Sequence, residues 1–201
     1  MKDAKKSARM AEIQEAAYAL LAEKGFGGTS MLAVAKRAKA SNETLYNWYG
    51  DKLGLFRAMV EANAARVRET LEAALDHDAD PVQTLQAVGP LLLTMLTSEK
   101  AVALNRAAAA DASGTLGTAL AQAGRQAVAP LIADVMERAK AAGQLRFEDP
   151  AEAVDLYLGL LIGDLQLRRV TGQIPAPGHA AINARSGRAF DALTRLLGDR
   201  R

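Results

Sequence analysis

Cysteine is absent from the 201-residue chain and histidine occurs only twice. Without thiols there is no disulfide, no thiolate metal site and no cysteine nucleophile, a pattern that fits a reducing compartment. Phe, Trp and Tyr together make up only 4% of the residues, and Trp occurs once. Strands draw on aromatic and β-branched side chains, so a β-rich fold is disfavoured. Long apolar runs are missing too. The most apolar segment, LYLGLLIG, lies between Asp155 and Asp164, well short of the roughly 20 residues that a membrane helix needs. The start, MKDAKKSARMAEIQ, is basic but has no apolar stretch behind it, so no secretory signal is read. There is neither a G-x-S-x-G elbow nor a phosphate-binding glycine loop. His77, within DHDAD, has no second His near it, and His179 lies in a Pro/Gly loop. No catalytic residues, no metal site and no cofactor are therefore expected, and the chain reads as a cytoplasmic protein that is not an enzyme.

What is present is a wealth of helix formers. Half of the residues are apolar, Ala and Leu foremost, and both favour helix. The expected fold class is all-α. The net charge of +2 hides a split: residues 1–60 carry ten Lys or Arg against six Asp or Glu, net +4, and the remainder is net −2. A basic N-terminal third on a neutral body suggests a module that faces nucleic acid.

Periodicity predicts a first helix over about 6–24, with Ile13, Ala17, Leu20 and Leu21 on one face and Gly25 as its stop. A second begins at Thr29 or Ser30 and places Met31, Val34, Ala35 and Ala38 inward. A third, also short, follows Ser41 as N-cap, with Leu45 and Tyr49 inward. A long fourth helix starts at Asp51 with Phe56, Val60, Asn63, Val67, Leu71 and Ala74 along its stripe. After HDADP a further helix starts near Pro81, and Gly89-Pro90 predicts a kink or break in it. Residues 98–123 give no clear boundaries. A helix is read over 124–142 with Pro130 as a bend, another from Asp149 to about Gly172, and a last one ending near Gly198. The Asp149–Gly172 helix is apolar on two faces, so it needs cover from two directions, one of them a partner subunit.

Two short helices joined by a tight turn, the second too polar for a core, describe a helix-turn-helix. With Leu45 and Tyr49 inward, the 100° step puts Glu43 and Asn47 outward and Thr44 and Tyr46 on the shoulders. Asn can pair with adenine edges and Glu can accept from cytosine, while hydroxyls and Lys52 suit phosphates. Tyr49 then anchors, Tyr46 grips the DNA backbone, and Trp48 lies between core and rim. The candidate DNA-binding set is Thr29, Ser30, Lys39, Ser41, Asn42, Glu43, Thr44, Tyr46, Asn47, Trp48 and Lys52. Thr29 and Ser30 can serve as caps alone or also touch phosphate. Lys2, Lys5, Lys6 and Arg9 are either an arm that reaches DNA or a plain tail.

The segment AAYALLAEKGFGGTSMLAVAKRAKASNETLYNWYGDKLGLF resembles the N-terminal DNA-binding domain of the TetR/AcrR family, in the order Gly-Phe, Thr-Ser, short helix, Ser, Thr-Leu-Tyr, aromatic and Lys. GQLRFEDPAEAVDLYLGLLIGDLQLRRVTG is similar to the C-terminal domain of the AefR-like branch. The resemblance implies an all-helical homodimer whose C-terminal domain binds a small molecule and so controls operator binding. Lys39 stands where the family usually has Gly, Glu43 where a small residue is usual, and Trp48 in place of His or Tyr.

The expected organisation is a DNA-binding domain over 1–50 and a helical effector-binding and dimerisation domain over 51–201. The expected partners are a palindromic double-stranded operator, a second copy of the chain and a small apolar or amphipathic effector, with no membrane. Met95, Asn105, Arg106, Tyr157 and Asp164 are candidates for lining the effector cavity, because polar groups on apolar helices need partners. The expected action is repression. The alternative is a helical small-molecule-binding or catalytic protein with a vestigial DNA-binding motif.

Overall fold

Helix starts follow the capping chemistry. Ser30, Ser41, Asp80 and Asp149 each accept a backbone N–H from the first turn of the helix that follows. The computed structural model describes residues 2–198, with side chains from residue 5 to residue 198, so the side chain of Lys2 lies outside the described residues. Among these residues the secondary structure is helical without a strand. The elements are α1 (Lys2–Lys24), α2 (Met31–Arg37), α3 (Asn42–Tyr49), α4 (Lys52–Asp76), α5 (Pro81–Thr97), α6 (Glu99–Ala109) and α7 (Thr115–Leu120). A π-helical turn (Ala121–Arg125) leads into α8 (Gln126–Ala141), followed by α9 (Pro150–Ile162), α10 (Leu165–Val170) and α11 (His179–Leu197). No single helix is long and apolar enough to cross a membrane.

The chain packs as two compact units, Met1–Ala62 with Ala103–Ala123, and Asn63–Val102 with Gly124–Arg201. A cut at residue 50 falls inside the first unit, because Leu55, Phe56, Met59 and Val60 of α4 share its core with Ile13, Leu20, Val34 and Leu45. Phe26 meets Phe56 edge to face at 5.7 Å, and the buried Tyr18 hydroxyl donates to the Met59 carbonyl at 3.0 Å. Burial pushes the Tyr18 pKa up, with Glu15 adding to it.

In the second unit α5, α8, α9 and α11 pack on one another around Leu85, Val88, Ile132, Met136, Leu161 and Leu193. Gly89-Pro90 does not break α5, which runs through Pro90 to Thr97. The expected helix from Asp149 to Gly172 is instead two. Gly163, at φ +48°, ends α9, and α10 begins at Leu165. The Arg185 guanidinium fills the space where a side chain on residue 163 would stand, and its Nε donates to the Leu161 carbonyl at 2.6 Å. Tyr157, fully buried, donates its hydroxyl to the Leu85 carbonyl at 2.7 Å. Arg169 is buried as well. It donates to the carbonyls of Thr97 (3.0 Å) and Ile174 (3.1 Å) and to the carboxylate of Glu99 (2.5 Å), and so ties α10 to the α5–α6 elbow.

Candidate nucleic-acid interface

The turn between α2 and α3 is closed by backbone bonds from Lys39 to Lys36 and from Ala40 to Ala35, at 3.2 and 2.9 Å. This geometry holds Lys39 at φ +51°, a left-handed conformation that glycine adopts without strain and lysine does not. Arg9, on α1, pairs with Glu12 and donates from Nη2 to the Lys39 carbonyl at 2.6 Å. Lys6 stands 5.8 Å from the Trp48 ring centre. Arg9 is thus engaged with the turn, and the exposed Lys6 lies near Trp48.

On α3 the Ser41 hydroxyl caps Thr44 N–H at 3.0 Å and lies 2.7 Å from the Thr44 hydroxyl. Leu45 and Tyr49 are buried, one turn apart. Their burial fixes the opposite face: Asn42, Glu43, Tyr46 and Asn47 are exposed, and Thr44 and Trp48 are half-buried at the edges. Tyr46 keeps 49% of its surface in solvent, large for an aromatic residue. The far end of α3 is set by a tight junction. Gly50, at φ +75° and ψ −64°, forms a γ-turn in which Asp51 N–H bonds the Tyr49 carbonyl at 2.9 Å. Asp51 then caps Gly54 N–H at 2.7 Å. A Cβ on Gly54 would lie 1.9 Å from the Tyr49 carbonyl oxygen.

Other sequence-derived candidates fall differently. Thr29 is buried and its hydroxyl donates to the Gly25 carbonyl at 2.8 Å, leaving Ser30 as the exposed member of that pair. Lys52 is half-buried, donates to the Phe26 carbonyl at 2.9 Å and sits 4.1 Å over the Phe26 ring, so its ammonium binds the domain itself. Lys39 and Ser41 are exposed. Lys36, exposed in the last turn of α2, was not in the sequence-derived set. Its place one turn before Lys39 is the signal that would have included it.

The five effector candidates do not form one cluster within either unit. Asn105 and Arg106 belong to the first unit, whereas Met95, Tyr157 and Asp164 belong to the second. Tyr157 is held by Leu85, Met95 is half-buried against the core, and Asp164 is exposed and 3.9 Å from Arg168. The first unit also contains an open cleft of about 350 Å³ beside Phe26, Asp51, Lys52, Asp111 and Ser113. Its charged groups are already engaged, Asp51 by Gly54, Lys52 by Phe26 and Asp111 by the Leu116 N–H. Among the described residues no cluster of His, Asp and Glu suits a metal. In the DHDAD segment Asp78 pairs with Arg138 at 2.9 Å and Asp80 caps α5.

An exposed polar helix seated on two buried anchors, reached through a tight turn, defines a helix-turn-helix protein. Residues 13–59 match bacterial regulatory proteins of the tetR family, and residues 83–196 match the C-terminal domain of AefR-like transcriptional repressors. The chain belongs to the TetR family of transcriptional regulators, with an AefR-like C-terminal domain. Among solved structures it is similar to a TetR transcriptional regulator from Agrobacterium tumefaciens, at 28% identity over 96% of this chain and 95% of that one, with a TM-score of 0.74. It is also similar to the flavonoid-responsive regulator FrrA, at 28% identity, covering 97% and 100% of the two chains, TM-score 0.69. SmeT in complex with triclosan shares the fold at 23% identity, covering 96% and 93%, TM-score 0.75. No curated protein matches in sequence.

Proposed function

We propose that this chain is a ligand-responsive transcriptional repressor of the cytoplasm that binds a palindromic duplex operator as a homodimer. The observation that carries the reading is the division of α3 into a buried side, Leu45 and Tyr49, and an exposed polar side, Asn42, Glu43, Tyr46 and Asn47. Asn47 and Glu43 read base edges in the major groove, while Tyr46, Ser41, Ser30 and Lys39 meet the phosphates and set the register. Two copies related by two-fold symmetry call for half-sites one helical turn, or a multiple, apart. Leu156 and Leu160 of α9 are only partly covered and Leu196 of α11 keeps 59% of its surface in solvent, which supports a partner subunit on these helices.

The effector acts by binding one arrangement of the dimer more tightly than the other and so moving the population away from the DNA-matched spacing. It is apolar or amphipathic. FrrA is described as flavonoid-responsive, so planar phenolic compounds are the first to screen. The test is selection of duplexes from a random pool by the purified protein, then gel shift and light scattering of the complex. A symmetric consensus bound by two protomers is expected. A pool that never enriches, with no salt-dependent affinity for any duplex, would overturn the reading.

A further inference from the structure

Two non-glycine residues among those described have positive φ, Lys39 at 51° and Asp78 at 48°. Each is held by an arginine from another helix. Arg138 binds the Asp78 carboxylate at 2.9 Å and the Leu75 carbonyl at 2.7 Å, and Arg9 binds the Lys39 carbonyl at 2.6 Å. We propose that Arg9 is a positioning residue for operator binding: through the Lys39 carbonyl it holds the α2–α3 turn in its left-handed form, and so lets a lysine rather than a glycine occupy the turn tip. The bond is charge-assisted and comes from a long-range contact, thirty positions away in sequence. Glu12 takes the other end of the guanidinium, which orients it along α1.

The arrangement has a functional result. A glycine at this position would satisfy the backbone alone, but it would have no ammonium. With Lys39 the exposed tip of the turn carries a positive charge, at the edge of the face where Ser41 and Asn42 begin α3. Arg9 thereby serves phosphate binding at one remove, without touching the duplex. This extends the operator-binding reading given above and rests on it.

The decisive experiment is a double-mutant cycle of Arg9→Ala and Lys39→Gly, with Arg9→Lys as a charge-preserving control. It uses the full-length protein and a duplex enriched by the wild-type chain. Arg9→Ala in the otherwise wild-type chain should weaken binding roughly tenfold per protomer on the duplex, the scale of one hydrogen bond from a charged donor in each half-site. Made on top of Lys39→Gly, the same change should weaken it less than about twofold, because glycine holds the turn unaided. Arg9→Lys should resemble Arg9→Ala, since a point charge on a flexible stem does not reproduce the oriented guanidinium. Lys39→Gly should lower the slope of log affinity against log salt by about two units for the bound dimer, one for each protomer.

An equal loss in both backgrounds, accompanied by a fall of about two units in the salt slope of the bound dimer on Arg9→Ala, would make Arg9 itself a phosphate contact and overturn the proposal. No loss in either background would overturn it as well. Hydrogen exchange without DNA separates this from the larger reading. Arg9→Ala should speed exchange of the Ala40 amide, which closes the turn on Ala35, even if no duplex were ever bound. Unchanged exchange there sinks the strut whatever the DNA result.

Discussion

Gly54→Ala tests how tightly the recognition helix is joined to the long helix behind it. In an ordinary helix this exchange stabilises by up to about 1 kcal/mol, since alanine is the better helix former. Here the added methyl would meet the Tyr49 carbonyl oxygen at 1.9 Å, against an ordinary contact of 3.4–4 Å. The obstacle is backbone, so no rotamer change relieves it. The carbonyl is further held by the Asp51 N–H across the γ-turn at Gly50. Relief requires α3 or the start of α4 to move by more than an ångström. Strain of this kind costs about 1–3 kcal/mol, and the large overlap puts it at the upper end. The net loss should be about 2 kcal/mol once helix propensity is subtracted. For a chain of this size that corresponds to a fall in melting temperature of about 4–8 °C.

Trp48, the single tryptophan, lies in α3. Denaturant unfolding followed by its fluorescence therefore reports the unit in question directly. Operator affinity should fall in parallel, because the face carrying Asn47 is displaced. A Gly54→Ala protein as stable as wild type, or more stable, would refute the close approach and the junction geometry built on it.

Tyr46→Ala should weaken binding to all duplexes alike, read by gel shift on several duplexes, while Asn47→Ala should alter the preferred base at one position per half-site, a difference of about 1–3 kcal/mol between bases, read by selection from a random pool. Asp111 takes the Leu116 N–H and then the Ser113 hydroxyl, and these hold its pKa below the ordinary value. Its stabilising effect is complete above the unfolded carboxylate pKa, about 4, and is lost as pH falls through the lower folded value. Exchange of the Leu116 amide should therefore speed up, beyond its intrinsic rate, as pH falls through that window in wild type and change less in Asp111→Asn. Arg169→Met should destabilise the protein by about 2 kcal/mol in thermal unfolding, since the Thr97 and Ile174 carbonyls lose their charged donor.

The motif was legible because it is local. Ser41 as a cap, Leu45 and Tyr49 one turn apart, and the exposed positions between them follow from helical geometry and side-chain chemistry within a dozen residues. Positions decided by distant contacts were not legible. Thr29 reads as a cap or a phosphate contact, but its hydroxyl is drawn back to Gly25. Lys52 reads as a phosphate contact, but the Phe26 ring and carbonyl hold it. Gly163 closes the apolar run before Asp164, and a glycine inside a helical pattern either continues or ends it. Arg185, far along the chain, accompanies the second outcome. At Pro90 the break that the sequence allows does not occur. A proline removes one intrahelical bond and strains the turn before it, yet α5 is packed against α8, α9 and α11 and stays continuous. A polar residue on an apolar helix needs a partner, but the sequence does not say which; for Tyr157 it is a backbone carbonyl, that of Leu85.

The tie made by Arg169 has unequal ends. The guanidinium is enclosed at 7% exposure, whereas the Glu99 carboxylate that meets it remains 80% open to water. Solvent can replace the anion but cannot reach in to replace the cation, and the carbonyl-rich end of α5 supplies partial negative charge whatever stands at position 99. Mutational tolerance should be lopsided accordingly: the acidic position open to exchange for glutamine or serine, the basic one closed even to lysine.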